Sequence, residues 1–252
     1  MKKVLNLRYS IISFILLIGL WQLAFIVSDY SSALFPSPLM VIKGLGELIK
    51  SGVLFQSIVT SMYRFLIGYG LSVLVAVFLG LFLGCSKVVF RYVNPILQLL
   101  RPISPTAWMP FVVLLFGIGD LPAIVIIFIA AFFPVLLTTA KGVFGIESVY
   151  YRVSDNFGIK GVKLLWKVIL PAIFPTIANA VRVSLGSAWI FLVAGEMVGA
   201  QSGLGYQIID ARNNVRADLL LATILVIGII GLFLDFLVGE LEKKIRAAWG
   251  GE

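Results

Sequence analysis

Residues Glu147–Pro175, ESVYYRVSDNFGIKGVKLLWKVILPAIFP, form a basic, amphipathic island in a chain otherwise built from long uncharged runs. On a helix beginning at Lys160, the lysines 160, 163 and 167 fall within about 60° of one another. Val162, Leu165, Trp166 and Ile169 gather on the opposite side. That pattern describes an interfacial helix, its apolar face on a bundle or on acyl chains and its lysines toward headgroups or water. Gly158 breaks the chain ahead of it, and Leu170-Pro171 is expected to end it and turn the chain into the next apolar segment. A loop that only enforced topology would need the lysines, but not the glycine break, the proline stop and the length together.

On either side of the island the sequence is membrane-like. Of 252 residues, 60% are hydrophobic and 13% charged, and the mean hydropathy is +1.07. A water-soluble domain of this length could not hide so much apolar surface. Uncharged runs at Tyr9–Ser28, Phe65–Ser86, Pro102–Gly119 and Leu121–Ala140 are each long enough to cross about 30 Å of hydrocarbon as a helix. The net charge of +8 does not point to nucleic acid, because the cations sit between hydrophobic segments, where they mark one side of a membrane. The single cysteine, Cys85, excludes an internal disulfide and reads as packing, and there is no histidine for metal or acid–base work.

The expected fold is all-α: one polytopic membrane helical bundle, residues 1–252, with six transmembrane helices. The first span covers about 10–28, uncleaved although it follows a signal-like MKKVLNLRYS. Ser37-Pro38 reads as an N-cap and first helical residue of a surface helix, with Lys43 and Glu47 spaced for an i,i+4 pair. Further spans are expected at about 60–86, 92–118, 121–140, 176–199 and 218–239. Pro102, Pro105 and Pro110 require the third to be bent or interrupted. A polar outer loop, open to reading as a gate, a docking edge or a flexible connection, joins the last two. On this plan Lys2, Lys3, Arg8, Lys87, Arg91, Lys141, Arg152, Lys160, Lys163, Lys167, Lys243, Lys244 and Arg246 lie inside. Only Lys43, Lys50, Arg212 and Arg216 lie outside, so both termini are expected in the cytoplasm.

The island resembles the cytoplasmic loop of ATP-binding-cassette importer permeases. The family pattern is Glu-Ala-Ala, three residues, Gly, nine residues, Ile, one residue, Leu-Pro. Gly158 is followed after nine residues by Val168, then Ile169 and Leu170-Pro171, so the second half is in register. Arg152-Val153-Ser154 replaces the Glu-Ala-Ala half and reverses its charge. The resemblance extends over about residues 35–245, through FPSP at 35–38, LRPISP at 100–105, FGIG at 116–119, AGEMVGA at 194–200 and SGLGY at 202–206. These look like the branch that carries taurine, aliphatic sulfonates and nitrate.

The resemblance implies a type I importer permease in a bacterial or archaeal inner membrane, with a core at about 58–240. It implies a homodimer, two cytoplasmic ATP-binding subunits that hold the ATP and magnesium, and an extracytoplasmic solute-binding protein. This chain would bind no cofactor and catalyse no reaction. Its coupling loop, about 147–171, would use Arg152, Asp155, Phe157, Gly158, Leu170 and Pro171. Asp155, three residues after Arg152, is the candidate to replace the missing family acid.

Arg101, Arg182 and Glu196 are the ionisable candidates at membrane depth, where a charge needs a partner or water. Either Arg101 or Arg182 lines an anion pathway, or one of them pairs with Glu196 to hold bent helices together. Gly80/Gly84 and Gly195/Gly199 are small-xxx-small pairs suited to close packing inside the protomer. No G-x-x-x-x-G-K-[ST] phosphate loop is present, so any ATPase is a separate chain. The competing class is an ion-gradient-driven secondary transporter or channel, which usually needs an internal repeat and midplane carboxylates.

Overall fold

The computed structural model describes the backbone of residues 2–248 and the side chains of residues 9 and 12–245. The side chains of Lys2, Lys3, Arg8 and Arg246, used above to orient the termini, lie outside the described ones. All regular structure among the described residues is helical: α1 (Lys2–Val27), α2 (Pro38–Lys50), α3 (Val53–Gly84), α4 (Lys87–Leu100), α5 (Met109–Phe116) and α6 (Asp120–Phe144) come first. They are followed by α7 (Ser148–Asn156), α8 (Val162–Leu164), α9 (Leu170–Gly199), α10 (Leu204–Asn213) and α11 (Ala217–Ala248).

Four stretches are long and apolar enough to cross a membrane unbroken: Val53–Gly84, Asp120–Phe144, Val162–Gly199 and Ala217–Ile245. Counted as one broken span, the pair Lys87–Leu100 and Pro105–Phe116 makes a fifth, bent by 83° at the break that the three prolines demanded. In α1, 26 residues long, the part with described side chains, Ile12–Val27, is a shorter apolar helix. Of the six spans expected, four unbroken helices have the length and composition of a crossing, and the bent pair brings the number to at most five among the described residues.

The core is a three-helix stack in which α6 lies between α3 and α9. A ladder of small residues at every fourth position of α3 (Gly68, Ser72, Ala76, Gly80, Gly84) is buried and faces α6. A Cβ on Gly80 would stand 2.7 Å from Thr139 Cβ and 2.8 Å from the Leu136 carbonyl; one on Gly84 would strike Val143. Gly195 and Gly199 do the same on α9, against Ala123 and against Met109 and Pro122. Both glycine pairs serve packing inside the protomer, and close backbone approach is what they supply.

Local signals explain the smaller elements. Ser37 caps α2 by accepting from the Met40 amide, with Pro38 in the first turn. Gly52, at φ 75°, turns the chain from α2 into α3. The Lys43–Glu47 pairing is replaced: Glu47 accepts from Arg216 at 2.7 Å, and Arg216 also holds Asp218 at 2.9 Å. This pins α2 to the start of α11, because Arg216 brings a fork of donors to two carboxylates where Lys43 offers a single point charge.

Pro171 does not end a helix. The chain runs from Val162 through a π-turn at Leu165–Ile169 into α9 without interruption. Pro171 lacks an amide hydrogen and its ring would crowd the carbonyl four residues back, and the wider turn beneath it relieves both faults. Span five thus begins near residue 162, not 176.

Candidate functional site: the Gly158 loop and a buried ion cluster

At one end of the bundle, α7 stands off the core and is closed by a Schellman turn. The Ile159 amide donates to the Ser154 carbonyl at 2.8 Å and the Gly158 amide to the Asp155 carbonyl at 3.0 Å. Gly158 takes φ 68° at the left-handed position, and Gly161, at φ 60°, makes a second such turn that starts α8. Ser154 and part of Tyr151 face inward. Tyr151, Leu164 and Leu165 pack on a cluster of Leu81, Val143, Ile169, Ile173 and Ile177. Beneath them lies an open cleft of about 510 Å³, bordered by Cys85, Lys87, Ser148 and Tyr151. Burial, with a smaller contribution from Cys85, pushes the Tyr151 phenol up.

The outward side of α7 is apolar at Val149, Tyr150, Val153 and Phe157, the last 78% exposed. Arg152 and Asp155 are both exposed, and neither side chain is engaged by another described residue. Leu170 is half-buried, and Pro171 is exposed on the continuous helix. The expected interfacial helix is corrected in part. Lys160 precedes the helix; Ile169 is buried and Leu165 half-buried on the bundle, while Val162 and Trp166 are exposed on its outside.

The opposite end holds a closed polar cluster. Arg64, on α3, donates through Nη1 to Glu196 Oε1 and to the Ser202 carbonyl, both at 2.7 Å. Its Nε reaches Asp120 Oδ1 at 2.7 Å and its Nη2 reaches Ser202 Oγ at 2.8 Å. Glu196 also accepts from Ser61 Oγ at 2.8 Å and from the Gly205 amide at 2.9 Å, while Ser61 accepts from the Leu204 amide. Arg64 is 1% exposed and Glu196 fully buried, whereas Asp120 is 54% exposed. One guanidinium therefore ties α3, α6, α9 and the 202–205 segment together. That segment is no flexible connection. A Cβ on Gly203, at φ 100°, would strike both Glu196 and Arg64.

The pairing expected of Glu196 is thus corrected: its partner is Arg64, and neither Arg101 nor Arg182 approaches it. Arg182 bonds Asp235 at 2.9 and 3.1 Å and lies 4.0 Å from Glu242. Gly239 leaves room for that guanidinium, since a Cβ there would stand 3.2 Å from its Cζ. Arg101 closes α4 and is exposed at the break. Arg64 is not among the sequence candidates; its place on the same face as the small-residue ladder is the sequence signal for its burial.

The family described as "Binding-protein-dependent transport system inner membrane component" matches residues 72–247. A Bacillus subtilis (strain 168) protein named as a permease for aliphatic sulfonates transport, SsuC, is 34% identical over 91% of this chain and 83% of its own length. The taurine transport system permease protein TauC of Escherichia coli (strain K12) is 31% identical over 96% and 90%. The nitrate import permease protein NrtB of Leptolyngbya laminosa is 32% identical over 93% and 86%. In fold, the chain is similar to the MetNI methionine ABC transporter in an inward facing conformation. The TM-score is 0.61 at 16% identity, covering 80% of this chain and 98% of that one. The chain belongs to the binding-protein-dependent transport system inner membrane components, the permease subunits of ATP-binding-cassette importers.

Proposed function

We propose that this chain, acting as one permease unit over residues 1–252, moves a small anion of the sulfonate or nitrate kind inward by alternating access. Two copies pair as a homodimer, with two ATPase subunits at the α7 end, a solute-binding protein at the Gly203 end, and both termini in the cytoplasm. The carrying observation is α7 itself: an exposed apolar face on a short helix that ends in two successive positive-φ glycine turns, at Gly158 and Gly161. A surface of that kind, at the end where Lys87, Lys141 and Lys163 gather, suits a soluble partner that pushes and pulls it. Phe157 would enter the partner's groove, with Arg152 and Asp155 beside it, while Leu170 and Pro171 pass the movement into α9. Glu196 with Arg64, and Arg182 with Asp235, act as structural ion pairs. The substrate class rests on the three relatives named above.

The test uses a Cys85→Ser background carrying Phe157→Cys, co-purified with its ATPase. A crosslink to that subunit, together with ATP-dependent uptake of ethanesulfonate or nitrate in proteoliposomes, is the expected result. Uptake driven by a proton or sodium gradient without the ATPase would overturn it in favour of a secondary transporter.

A further inference from the structure

The broken span carries a feature that the coupling loop does not explain. At 100° per residue, Lys87, Arg91, Asn94, Gln98 and Arg101 fall within an arc of about 80° along α4. All are exposed except Asn94, which is half-buried. Gln98 donates to Asn94 at 3.3 Å, continuing the polar line. A second face, with Phe90, Val93 and Leu97, packs into the bundle. A third, with Val88, Tyr92, Ile96 and Leu99, is exposed and apolar. One helix thus shows two different exteriors, one suited to acyl chains and one suited to water.

Depth makes the polar exterior informative. The Phe90 ring lies 5.0 Å from that of Phe144, at the α7 end of the bundle. Leu97 packs with Ala76 and Leu136, farther up α3 and α6. The climb from Lys87 to Arg101 is about 21 Å, so Arg101 stands within the hydrocarbon range. From Arg101 the backbone leaves the helix for four residues, 101–104, and Ser104 Oγ sits 2.8 Å from Thr106 Oγ1, both residues exposed. Open backbone and a charged side chain at this depth are compatible with water and not with lipid. Arg64 and Arg182 each have a carboxylate partner; the Arg101 side chain has no hydrogen bond or ion pair with another described residue. Residues 87–119 include the cations Lys87, Arg91 and Arg101 and no Asp or Glu.

We infer that this stripe, ending at Arg101, Ser104 and Thr106, is one wall of the water-filled conduit and a transient binding site for a small oxyanion. The guanidinium supplies charge and two donors in a plane, and the two hydroxyls supply further donors, a set that fits a sulfonate or nitrate group. Lys87 and Arg91 lie at the mouth and draw the anion along the same line. The inference rests on the importer reading, of which it specifies one wall.

Thiol accessibility tests it without requiring turnover. In a Cys85→Ser background, Ser104→Cys and, separately, Gln98→Cys are placed in the permease–ATPase complex in neutral-lipid vesicles. Each is reacted with sulfonatoethyl methanethiosulfonate and with its trimethylammonium counterpart, and Leu99→Cys marks the lipid-facing side. Both test positions should react, about tenfold faster with the anionic reagent. That preference should fall to within about twofold in Arg101→Gln and persist in Arg101→Lys. No reaction at either position, or reaction without charge preference, would overturn the inference. So would reactivity abolished by adding anionic lipid, which would make headgroups the occupant. A dry stripe in a complex whose ATPase still drives uptake removes this inference alone. A wet, anion-selective stripe with ATP-independent uptake removes the importer reading instead.

Discussion

Arg64 places its donors on Glu196, Ser202 and Asp120, and Glu196 accepts from three residues on two segments, Ser61 and Arg64 of α3 and Gly205. Removing one member of such a pair leaves its charge stranded. Glu196→Ala should therefore lower stability by about 3–5 kcal/mol, read as the thermal unfolding midpoint of the detergent-solubilised protein. Glu196→Gln keeps much of the hydrogen bonding and should cost less. Asp120→Asn should cost under about 1 kcal/mol, because Asp120 is half in water. Gly203→Ala meets both strain and collision and should rank with Glu196→Ala. At this scale the sequence announced that an intramembrane carboxylate needs a cation, but not which one. Arg101 and Arg182 were the candidates, and the partner is Arg64. Choosing between them requires the register of α3 against α9, which no local pattern encodes. The ladder of small residues running down from Ser61 was the legible part, and it places Arg64 on the buried face.

Among the helices, the α3–α6 contact is set by backbone approach more than by large side chains. Gly80→Ala should destabilise by more than 1 kcal/mol, because the added methyl meets Thr139 and the Leu136 carbonyl. Gly70→Ala, on the same helix with nothing within 4 Å, should be neutral or stabilising by up to about 1 kcal/mol. The Thr139 hydroxyl is buried with no hydrogen-bond partner. Thr139→Val should therefore hold or raise stability by about 1 kcal/mol, checked in the same thermal assay. Helix existence and the prolines' interruption of span three were plain in composition and spacing. The continuation through Pro171 was not, since a π-turn leaves no signature beyond the proline itself. Nor was α10, whose Gly203-Leu204-Gly205 start reads as a turn until Ser61 and Glu196 are seen gripping its amides.

Across the whole molecule, rigidity and projection are separated. The Gly203 end is knotted by ion pairs, while α7 at the other end rests on one small hydrophobic cluster and two glycine turns. Gly158→Ala forces a side chain into the left-handed region at a cost of about 1–2 kcal/mol. Thermal stability should move by no more than that, whereas solute-stimulated ATP hydrolysis by the complex should fall severalfold. Equal loss of both would make the turn merely structural.

The Arg64 knot also has a consequence for biogenesis. Its two carboxylates follow it by 56 and 132 residues. At 5–20 residues per second, the ribosome delivers Glu196 roughly 7–26 seconds after Arg64. During that interval α3 waits at the translocon with an uncompensated guanidinium, eased first by Asp120 and fully only once α9 arrives. Nascent chains halted before residue 196 should consequently be held or degraded, and those extended past 205 released into the bilayer.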